Sequence, residues 1–413
     1  MRTRMPPDAG TRSRWRMLAL LALAELLGMS LWFTANAAGP ELRQRWNLDP
    51  GQLGWLTAVV QLGFVAGTAT AALLNLADLW PARAYFAGCA LLAGASNLAL
   101  LSDQGYALAL LTQFGTGFFL AGIYPTAMKM AATWFRSSRG LAIGIVVGAL
   151  CVGKSLPYLA HAAGGASLRS VTVAASAAAA LAAILIASLY RDGPFPFERR
   201  PFDWALVARV VRHKETRLVL WGYLGHMWEL YAMWTWVPAF LAASLHAGAR
   251  TYPAWTGDLA ACGALAAGGL GCVWGGWAAR TRGSARVAMV AMAASGACSL
   301  GIGLFFGAGF WVLAPLVWLW GFFVVADSAQ FSALVTDAAP RHAVGTALTL
   351  QTSLGFLLTM ASIQLVPVLV SAAGWRWAFL LLAPGPALGI AAIARLGSGR
   401  AASETAGPAV QAH

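Results

Sequence analysis

The chain has 413 residues, of which 59% are hydrophobic and only 10% are charged, and its mean hydropathy is +0.66. A composition this apolar excludes a water-soluble globular protein, because too few polar residues remain to cover its surface. The formal net charge of +13 would suit a nucleic-acid partner, but no basic run is interleaved with aromatic residues, so we expect no such partner.

Apolar runs long enough to cross a membrane recur along the whole chain. A hydrocarbon layer of ~30 Å takes roughly 20 helical residues to cross. Backbone groups in lipid must bond within the protein, and the runs lack the short alternating pattern of a barrel, so they are helices. We therefore predict an all-α polytopic membrane protein with 12 transmembrane helices in two six-helix bundles, spans 1 to 12, near residues 17–37, 53–75, 84–102, 107–131, 139–161, 168–189, 218–244, 256–278, 286–307, 309–334, 345–370 and 374–396.

Span 1 follows a basic segment, residues 1–16, which we predict to be cytoplasmic. An arginine-rich start before an apolar run is also typical of a signal peptide, but this run is long and another span follows it closely, so we predict an uncleaved helix. Glu25 lies roughly 12 Å into span 1, and Trp32 lies two turns further on. A charge at the bilayer centre costs on the order of 2.5–3.5 kcal/mol, so Glu25 requires a reason.

The loop between spans 2 and 3 reads Leu74-Asn-Leu-Ala-Asp78-Leu-Trp-Pro-Ala-Arg83. It resembles the loop signature of the major facilitator superfamily, Gly-x-x-x-Asp-Arg-x-Gly-Arg-Arg, with Asp78 and Arg83 kept. Residues 134–144, which precede and begin span 5, are similar to the fourth-loop motif of the same family. The resemblance covers residues 15–396 and implies a transporter of two six-helix halves, in which Asp78 and Arg83 act as a conformational latch.

Spans 4 and 5 contain two lysines that differ in depth. Lys129 lies near the cytoplasmic end of span 4, where a long side chain reaches the headgroups. Lys154 lies roughly 22 Å into span 5, too deep to reach either surface easily. It is either the counter-charge of a buried acid or the anchor of an anionic substrate. Tyr124 in span 4 is a further candidate for the wall of the inner cavity.

Residues 191–217 form a polar linker between the two halves, residues 17–190 and 218–396. Prolines prevent a regular helix in its first part, whereas residues 202–214 have the pattern of an amphipathic helix on the membrane surface. With both termini on the cytoplasmic side, 21 of the 28 Lys and Arg residues lie there. This asymmetry, together with the Ala, Gly and Arg bias, indicates a bacterial inner membrane.

Span 7 combines two titratable side chains on one helix face, His226 at mid-depth and Glu229 three residues later. A buried carboxylate near an imidazole can take up and release protons. We predict that Glu229, with His226 and Glu25, carries a coupling proton; the alternative is an inter-helix hydrogen bond that only holds the bundle together. The spacing also occurs in metal sites, but no second His or Cys ligand lies near, so we expect no metal.

The segment Gly222–Pro238 is similar to the signature of a bacterial subgroup of the same superfamily that is often labelled nitrate/nitrite or sugar-efflux permeases. Nitrate porters have an arginine in span 2 and another in span 8, and neither span has one here. The resemblance therefore implies a solute other than nitrate.

Asp327 and Gln330 lie in the cytoplasmic third of span 10, where we expect them to line the inner cavity with Tyr124. Pairing of Asp327 with Lys129 is the alternative. Beyond the last span, residues 397–413 are predicted to form a disordered cytoplasmic tail. All five cysteines fall within predicted spans, and we expect no disulfide.

Landmarks of the two halves repeat with an offset that grows slowly along the chain. Glu25 and His226 are 201 residues apart, and Trp32 and Trp234 are 202 apart. A duplicated unit places a substrate site near the midplane between the halves, so we expect both tryptophans to contact substrate. The resemblance further implies that spans 1 and 7 face each other, which makes Glu25 and His226 pseudo-symmetric partners.

Together these features predict a secondary active transporter that moves a small organic solute by alternating access, coupled to protons. We expect a monomer without a cofactor. A polytopic membrane enzyme is the alternative, but the chain has no His-Glu-x-x-His, Gly-x-Ser-x-Gly or nucleotide-binding loop. A sensor with the same fold is a third possibility, and it would be expected to have an appended soluble domain.

Overall fold

The computed structural model describes residues 7–74, 76–102, 105–135, 139–163, 167–195, 204–253, 255–340 and 343–405. All regular secondary structure in these segments is helical. Ten helices of this part of the chain are long and apolar enough to cross a membrane. Spans 1 and 7 are helical as well but are not among these ten. The prediction of an all-α membrane protein is confirmed.

The first half contains spans 1 to 6. Short helices connect spans 1 and 2 (Gly39–Trp46) and spans 2 and 3 (Leu76–Leu79). The spans are, in order, Pro7–Met29 with Thr34–Ala37, Pro50–Leu73, Ala82–Leu98 with the 3-10 turn Ala99–Ser102, Tyr106–Leu120 with Tyr124–Ala132, Arg139–Ala163, and Leu168–Leu189.

The second half contains spans 7 to 12 and follows a short linker helix, Trp204–Arg212. Its spans are, in order, Lys214–Ala247, Trp255–Arg282, Ser284–Gly301 with the 3-10 turn Ile302–Phe305, Phe310–Ala326 with Ser328–Ala338, Val344–Ala373, and a last span built from Trp375–Ala378, Phe379–Leu382 and Pro384–Thr405. We call the face of the bundle at which spans 1 and 7 begin the terminal face, and the other one the distal face.

Helix contacts repeat between the halves. In the first half, spans 1 and 5, 1 and 6, 2 and 4, 3 and 4, and 3 and 6 pack together, and the same pairs recur six spans later in the second half. The halves meet where span 5 packs on span 8 and where span 2 packs on span 11. The predicted fold of two pseudo-symmetric six-helix bundles is thus confirmed.

Spans 4 and 10 are each broken near mid-depth. Span 4 stops at Leu120 and resumes at Tyr124, where Pro125 lies in the first turn and has no N–H to donate to the preceding turn. Span 10 is interrupted at Asp327, which ends one segment and begins the next. The breaks lie at matching places in the two halves and put Tyr124 and Asp327 at the joints.

Glycines allow the halves to approach closely where spans 5 and 8 cross. A Cβ atom added to Gly269 would lie 2.8 Å from the backbone oxygen of Gly148, and one added to Gly148 would lie 3.2 Å from the backbone oxygen of Gly269. Small residues at a crossing let two backbones pack directly against each other. This contact fixes the separation of the halves close to Lys154.

The helices extend further at the terminal face than the apolar runs predicted. Span 1 begins at Pro7 rather than near residue 17, and span 7 begins at Lys214 rather than near residue 218. The last helix continues to Thr405, so the tail predicted as disordered from residue 397 is helical at its start, and residues 406–413 lie outside the described segments. The prediction counted only apolar residues, whereas Arg, Lys, Glu and Ala also sustain helices in water.

The linker helix packs against spans 7 and 11. Its Val210 side chain is buried, whereas Val211 is exposed. The amphipathic pattern predicted contact with the membrane surface. In the structure, part of its apolar face instead covers neighbouring helices of the second half.

Candidate functional site

Lys154 lies in a cage of aromatic side chains in the interior. Its Nζ atom is 3.6 Å from the ring centroid of Trp32, 4.6 Å from that of Tyr231 and 5.3 Å from that of Trp234. The ammonium also donates a hydrogen bond to the Tyr231 hydroxyl. Stacking of a cation on ring faces is worth roughly 2 kcal/mol or more when the pair is desolvated, and Lys154 is fully buried.

The walls of this cage come from both halves. Lys154 and Trp32 belong to spans 5 and 1, whereas Tyr231 and Trp234 lie one turn apart on span 7. Phe356 of span 11 closes the cage from behind, with its ring centroid 5.6 Å from that of Trp32 and 5.2 Å from that of Tyr231. The cage is therefore assembled where the two six-helix units meet.

Both tryptophans of the cage keep a polar group without a partner. The indole nitrogens of Trp32 and Trp234 are buried and have no hydrogen-bond partner among the described residues. Buried donors are normally paired, so two unpaired donors in one cage are unusual. They give the cage a hydrogen-bonding capacity that the protein itself does not use in this arrangement.

Glu25 lies fully buried near the cage. Neither of its carboxyl oxygens has a hydrogen-bond partner within the described segments. The Glu25 carboxyl group lies within electrostatic range of the Lys154 ammonium, and Tyr124 at the joint of span 4 lies within electrostatic range of Glu25 and of Tyr223 in span 7. One buried acid and one buried base thus share the space between the halves.

His226 does not join this group but pairs with Asp327. The His226 Nδ1 atom lies 2.9 Å from Oδ1 of Asp327, and the Ser328 hydroxyl lies 3.1 Å from Nε2 of the same ring. Both side chains are buried. The sequence suggested Lys129 as an alternative partner for Asp327. In the structure the Asp327 carboxyl group lies against His226, because the break in span 10 turns Asp327 toward span 7.

Glu229 occupies a third environment. One carboxyl oxygen accepts a hydrogen bond of 2.8 Å from the Ser295 hydroxyl, and the other accepts one of 2.8 Å from the Trp320 indole. These bonds connect span 7 to spans 9 and 10, all within the second half. His226 and Glu229 both contact span 10, as their shared helix face predicted, but each has its own partners.

The remaining predicted site residues are more dispersed. The Gln330 amide is buried against span 8, where a Cβ atom added to Gly275 would lie 3.3 Å from its Nε2 atom. Arg83 is exposed at the start of span 3. Asp78 lies in the helix Leu76–Leu79, but its side chain is outside the described part of the structure. In the segments that are described, no group of three or more His, Cys, Asp and Glu side chains could hold a metal ion.

Polar contacts join the halves toward the distal face. His161 Nδ1, in the last turn of span 5, lies 2.8 Å from Oδ2 of Asp258, in the first turn of span 8. Nearby, the Asn36 amide donates a hydrogen bond of 3.3 Å to the backbone oxygen of Thr235 in span 7, and accepts one from the Tyr158 hydroxyl. These contacts hold the distal ends of the two halves together.

Several of these partners were not predicted from the sequence. Tyr231 is one of them: it lies three residues before the predicted Trp234 on one helix face, a spacing that would have indicated a shared aromatic surface. Asp258 and His161 are charged or titratable residues at the ends of adjacent spans, which would have marked them as a possible pair. Ser295 and Trp320 carry no comparable signal, because serines and tryptophans are frequent in this chain.

Two solved transporters share this fold. The structure superimposes on the nucleoside transporter NupG with a TM-score of 0.73, 14% sequence identity and coverage of 92% of this chain and 99% of that one. It superimposes on a bacterial homologue of the human lysosomal transporter Spinster, in an inward-facing and unoccupied conformation, with a TM-score of 0.66, 15% identity and coverage of 94% and 95%. At these identities the likeness shows the fold alone.

Sequence comparison gives the family. A curated relative, the lincomycin resistance protein of Streptomyces lincolnensis, is 31% identical over 159 residues, which cover 38% of this chain and only 33% of that protein. The sequence model of the Major Facilitator Superfamily matches residues 21–362, most of the chain. The chain therefore belongs to the major facilitator superfamily and is a membrane transporter.

Proposed function

We propose that this protein is a secondary active transporter that moves a small organic solute by alternating access and is driven by protons. The observation that carries the proposal is the pair of buried opposite charges between the halves: Glu25, whose carboxyl group has no hydrogen-bond partner in the described structure, and Lys154 in its aromatic cage.

The cost of burying a charge makes Glu25 a proton-binding group. An ionised carboxylate in a low-dielectric interior costs several kcal/mol unless it is paired and hydrogen-bonded. Glu25 avoids this cost either by binding a proton or by pairing with Lys154. Lys154 likewise has two favourable positions, in the cage or beside Glu25. A proton on Glu25 therefore favours the caged lysine, and its loss favours the ion pair.

We assign the coupling proton to Glu25 rather than to all three predicted residues. The Glu229 carboxyl group already accepts bonds from Ser295 and Trp320, which supports the alternative that it holds spans of the second half together. His226 pairs with Asp327 within the same half. Of these three residues, Glu25 is the one that lies near the cage around Lys154, which is built from both halves.

Alternating access requires the contacts between the halves to separate on one face at a time. Spans 5 and 8 cross at Gly148 and Gly269, and beyond this crossing His161 and Asp258 join their distal ends. Rocking of the halves about the crossing would break the contact of His161 with Asp258 and open the cage to that side. Asp78 and Arg83 would act as a latch at the terminal face.

The basic residues support an orientation with the terminal face in the cytoplasm of a bacterium and the protein in its inner membrane. The name of the curated relative, a resistance protein, supports outward movement of the solute. We propose a monomer, because each six-helix half already completes the other around one central site.

The proposal is tested with the purified protein in liposomes that contain a pH-sensitive dye. Labelled organic amines, sugars and carboxylic acids are added one at a time, and solute uptake and proton movement are recorded together. We expect the uptake of at least one class of solute to be accompanied by proton movement across the liposome membrane. This proton movement should require Glu25. Solute flux without any proton movement would contradict the coupling, and no flux of any solute would contradict active transport.

A further inference from the structure

The cage of Trp32, Tyr231 and Trp234 already surrounds a cation, the Lys154 ammonium, and so has the chemistry to bind another cation in its place. We propose that the transported solute is an organic cation, such as a protonated or quaternary amine, that replaces the Lys154 ammonium in the cage of Trp32, Tyr231 and Trp234. The inference rests on the proposed function, since it names the class of solute for the same site.

The chemistry of the cage favours positive charge. The faces of aromatic rings are electronegative, and a cation within ~6 Å of a ring centroid is attracted to them. Three rings lie within this range of the Lys154 Nζ atom. A carboxylate in the same place would meet three electronegative faces. The alternative in which Lys154 anchors an anionic solute therefore has unfavourable surroundings for the anion.

Two cations cannot share the cage, because unit charges about 4 Å apart repel by several kcal/mol at the effective dielectric of a protein. An entering cation must displace Lys154. The displaced ammonium has a partner within electrostatic range, the Glu25 carboxyl group, whose oxygens have no other hydrogen-bond partner in the described structure. Glu25 can accept this pairing as an anion only after it has released its proton.

The charges balance in this exchange. Before binding, the site holds a neutral Glu25 and the Lys154 ammonium, a net charge of one. After binding, it holds a Glu25–Lys154 ion pair and the solute cation, again a net charge of one. One proton leaves the Glu25 carboxyl group for each cation that enters. The Lys154 ammonium gives up its hydrogen bond to the Tyr231 hydroxyl and pairs with the Glu25 carboxylate, and no other covalent bond is made or broken. Cation and proton therefore exchange without transfer of net charge.

A cationic solute and an anionic solute require opposite roles of Lys154. If Lys154 competes with the solute, removing its charge strengthens binding; if Lys154 anchors an anion, removing its charge abolishes binding. Lys154→Met keeps an unbranched side chain that is one atom shorter and has no ammonium. The unpaired indole donors of Trp32 and Trp234 remain available to polar groups of the solute.

The experiment measures binding to the full-length protein in detergent by calorimetry. The probes are choline, tetraethylammonium and benzyltrimethylammonium, with dimethylbutanol as the uncharged carbon isostere of choline and dimethylbutanoate as an anion of the same shape. We expect at least one of the three cations to bind. If choline binds, it should bind roughly tenfold more tightly than dimethylbutanol. Lys154→Met should raise the affinity for the bound cation roughly tenfold. Trp234→Leu should lower the affinity for the cation by a similar factor. Trp221 is an exposed tryptophan of the same span, and Trp221→Leu should not change this affinity.

Proton release is measured in the same calorimeter by repeating the titration in buffers of different ionisation enthalpy. We expect one proton released per cation by the wild type and none by Glu25→Gln. Absence of binding by all three cations, preference for dimethylbutanoate, or weaker cation binding by Lys154→Met overturns the inference. A transporter that fails these tests but still moves a solute under a pH gradient retains the proposed function.

Discussion

The His161 Nδ1 atom lies 2.8 Å from Oδ2 of Asp258, and this pair joins the distal end of span 5 to the beginning of span 8. The two spans belong to different halves, so the pair is a contact that alternating access has to break. Asp258 is partly exposed, whereas His161 is largely covered by the neighbouring helices.

A covalent link at this position should stop transport. In a variant whose five native cysteines are replaced by alanine, His161→Cys and Asp258→Cys are joined with a short bifunctional thiol reagent. We expect solute flux to be lost on cross-linking and to return on reduction, because the distal face can no longer open. Each single-cysteine variant serves as the control. Unchanged flux in the fully cross-linked protein would show that spans 5 and 8 do not separate there.

Breaking the buried pair of His226 and Asp327 should be costly for stability. Removing one partner, as in Asp327→Leu, leaves the buried imidazole without its partner and should cost about 1–3 kcal/mol. The double variant His226→Met with Asp327→Leu should recover most of this loss, since replacing both members of a buried pair by apolar groups is often nearly neutral. Thermal unfolding in detergent checks both. Equal melting temperatures for wild type and Asp327→Leu would argue against the pair.

Glu229→Gln should leave transport intact while weakening the second half slightly. A glutamine oxygen can still accept the Trp320 indole hydrogen bond, so we expect a loss of about 1 kcal/mol in stability. Glu229→Ala should cost more, about 1–3 kcal/mol, because it leaves the buried indole donor unpaired. Thermal unfolding and pH-driven flux are measured on both. If Glu229→Gln folds normally but loses pH-driven flux, the proton role predicted from the sequence belongs to Glu229 after all.

The crossing of spans 5 and 8 should not tolerate a larger side chain. Gly269→Val places its Cβ atom 2.8 Å from the backbone oxygen of Gly148, so the halves must shift apart. Overpacking of this kind costs about 1–3 kcal/mol, and we expect a corresponding loss of flux or of melting temperature. Gly276→Val on the same span is the matched control, because nothing lies within 4 Å of its added Cβ atom. Equal behaviour of the two variants would contradict a tight crossing.

The sequence predicted how deep the buried titratable residues lie in the membrane better than it predicted which residues they contact. The depth of Glu25, Lys154 and His226 follows from their distance along each span, and all three are buried as a costly interior charge requires. The offset of Trp32 and Trp234 indicated a pseudo-symmetric pair that contacts substrate. In the structure both rings lie close to the Lys154 ammonium, and their contact with substrate stays a prediction.

The contacts of these buried side chains depend on how whole helices are rotated and broken, and the spacing of residues along the sequence does not show this. The rotation of span 7 about its axis decides that Tyr231 meets Lys154 and that Glu229 meets Ser295 and Trp320. The break in span 10 decides that Asp327 meets His226. Both arise from packing of whole helices, which one sequence read along its length cannot provide.

The central claim is that the Glu25 carboxyl group carries the coupling proton, and Glu25→Gln tests it most directly. Glutamine keeps the size and hydrogen-bonding shape of a protonated glutamate but cannot release a proton. Two fluxes of the same solute are compared in liposomes: accumulation driven by a pH gradient, and exchange of labelled for unlabelled solute without a gradient. The account predicts that Glu25→Gln abolishes the first and retains the second. Accumulation equal to that of the wild type under the pH gradient would contradict it.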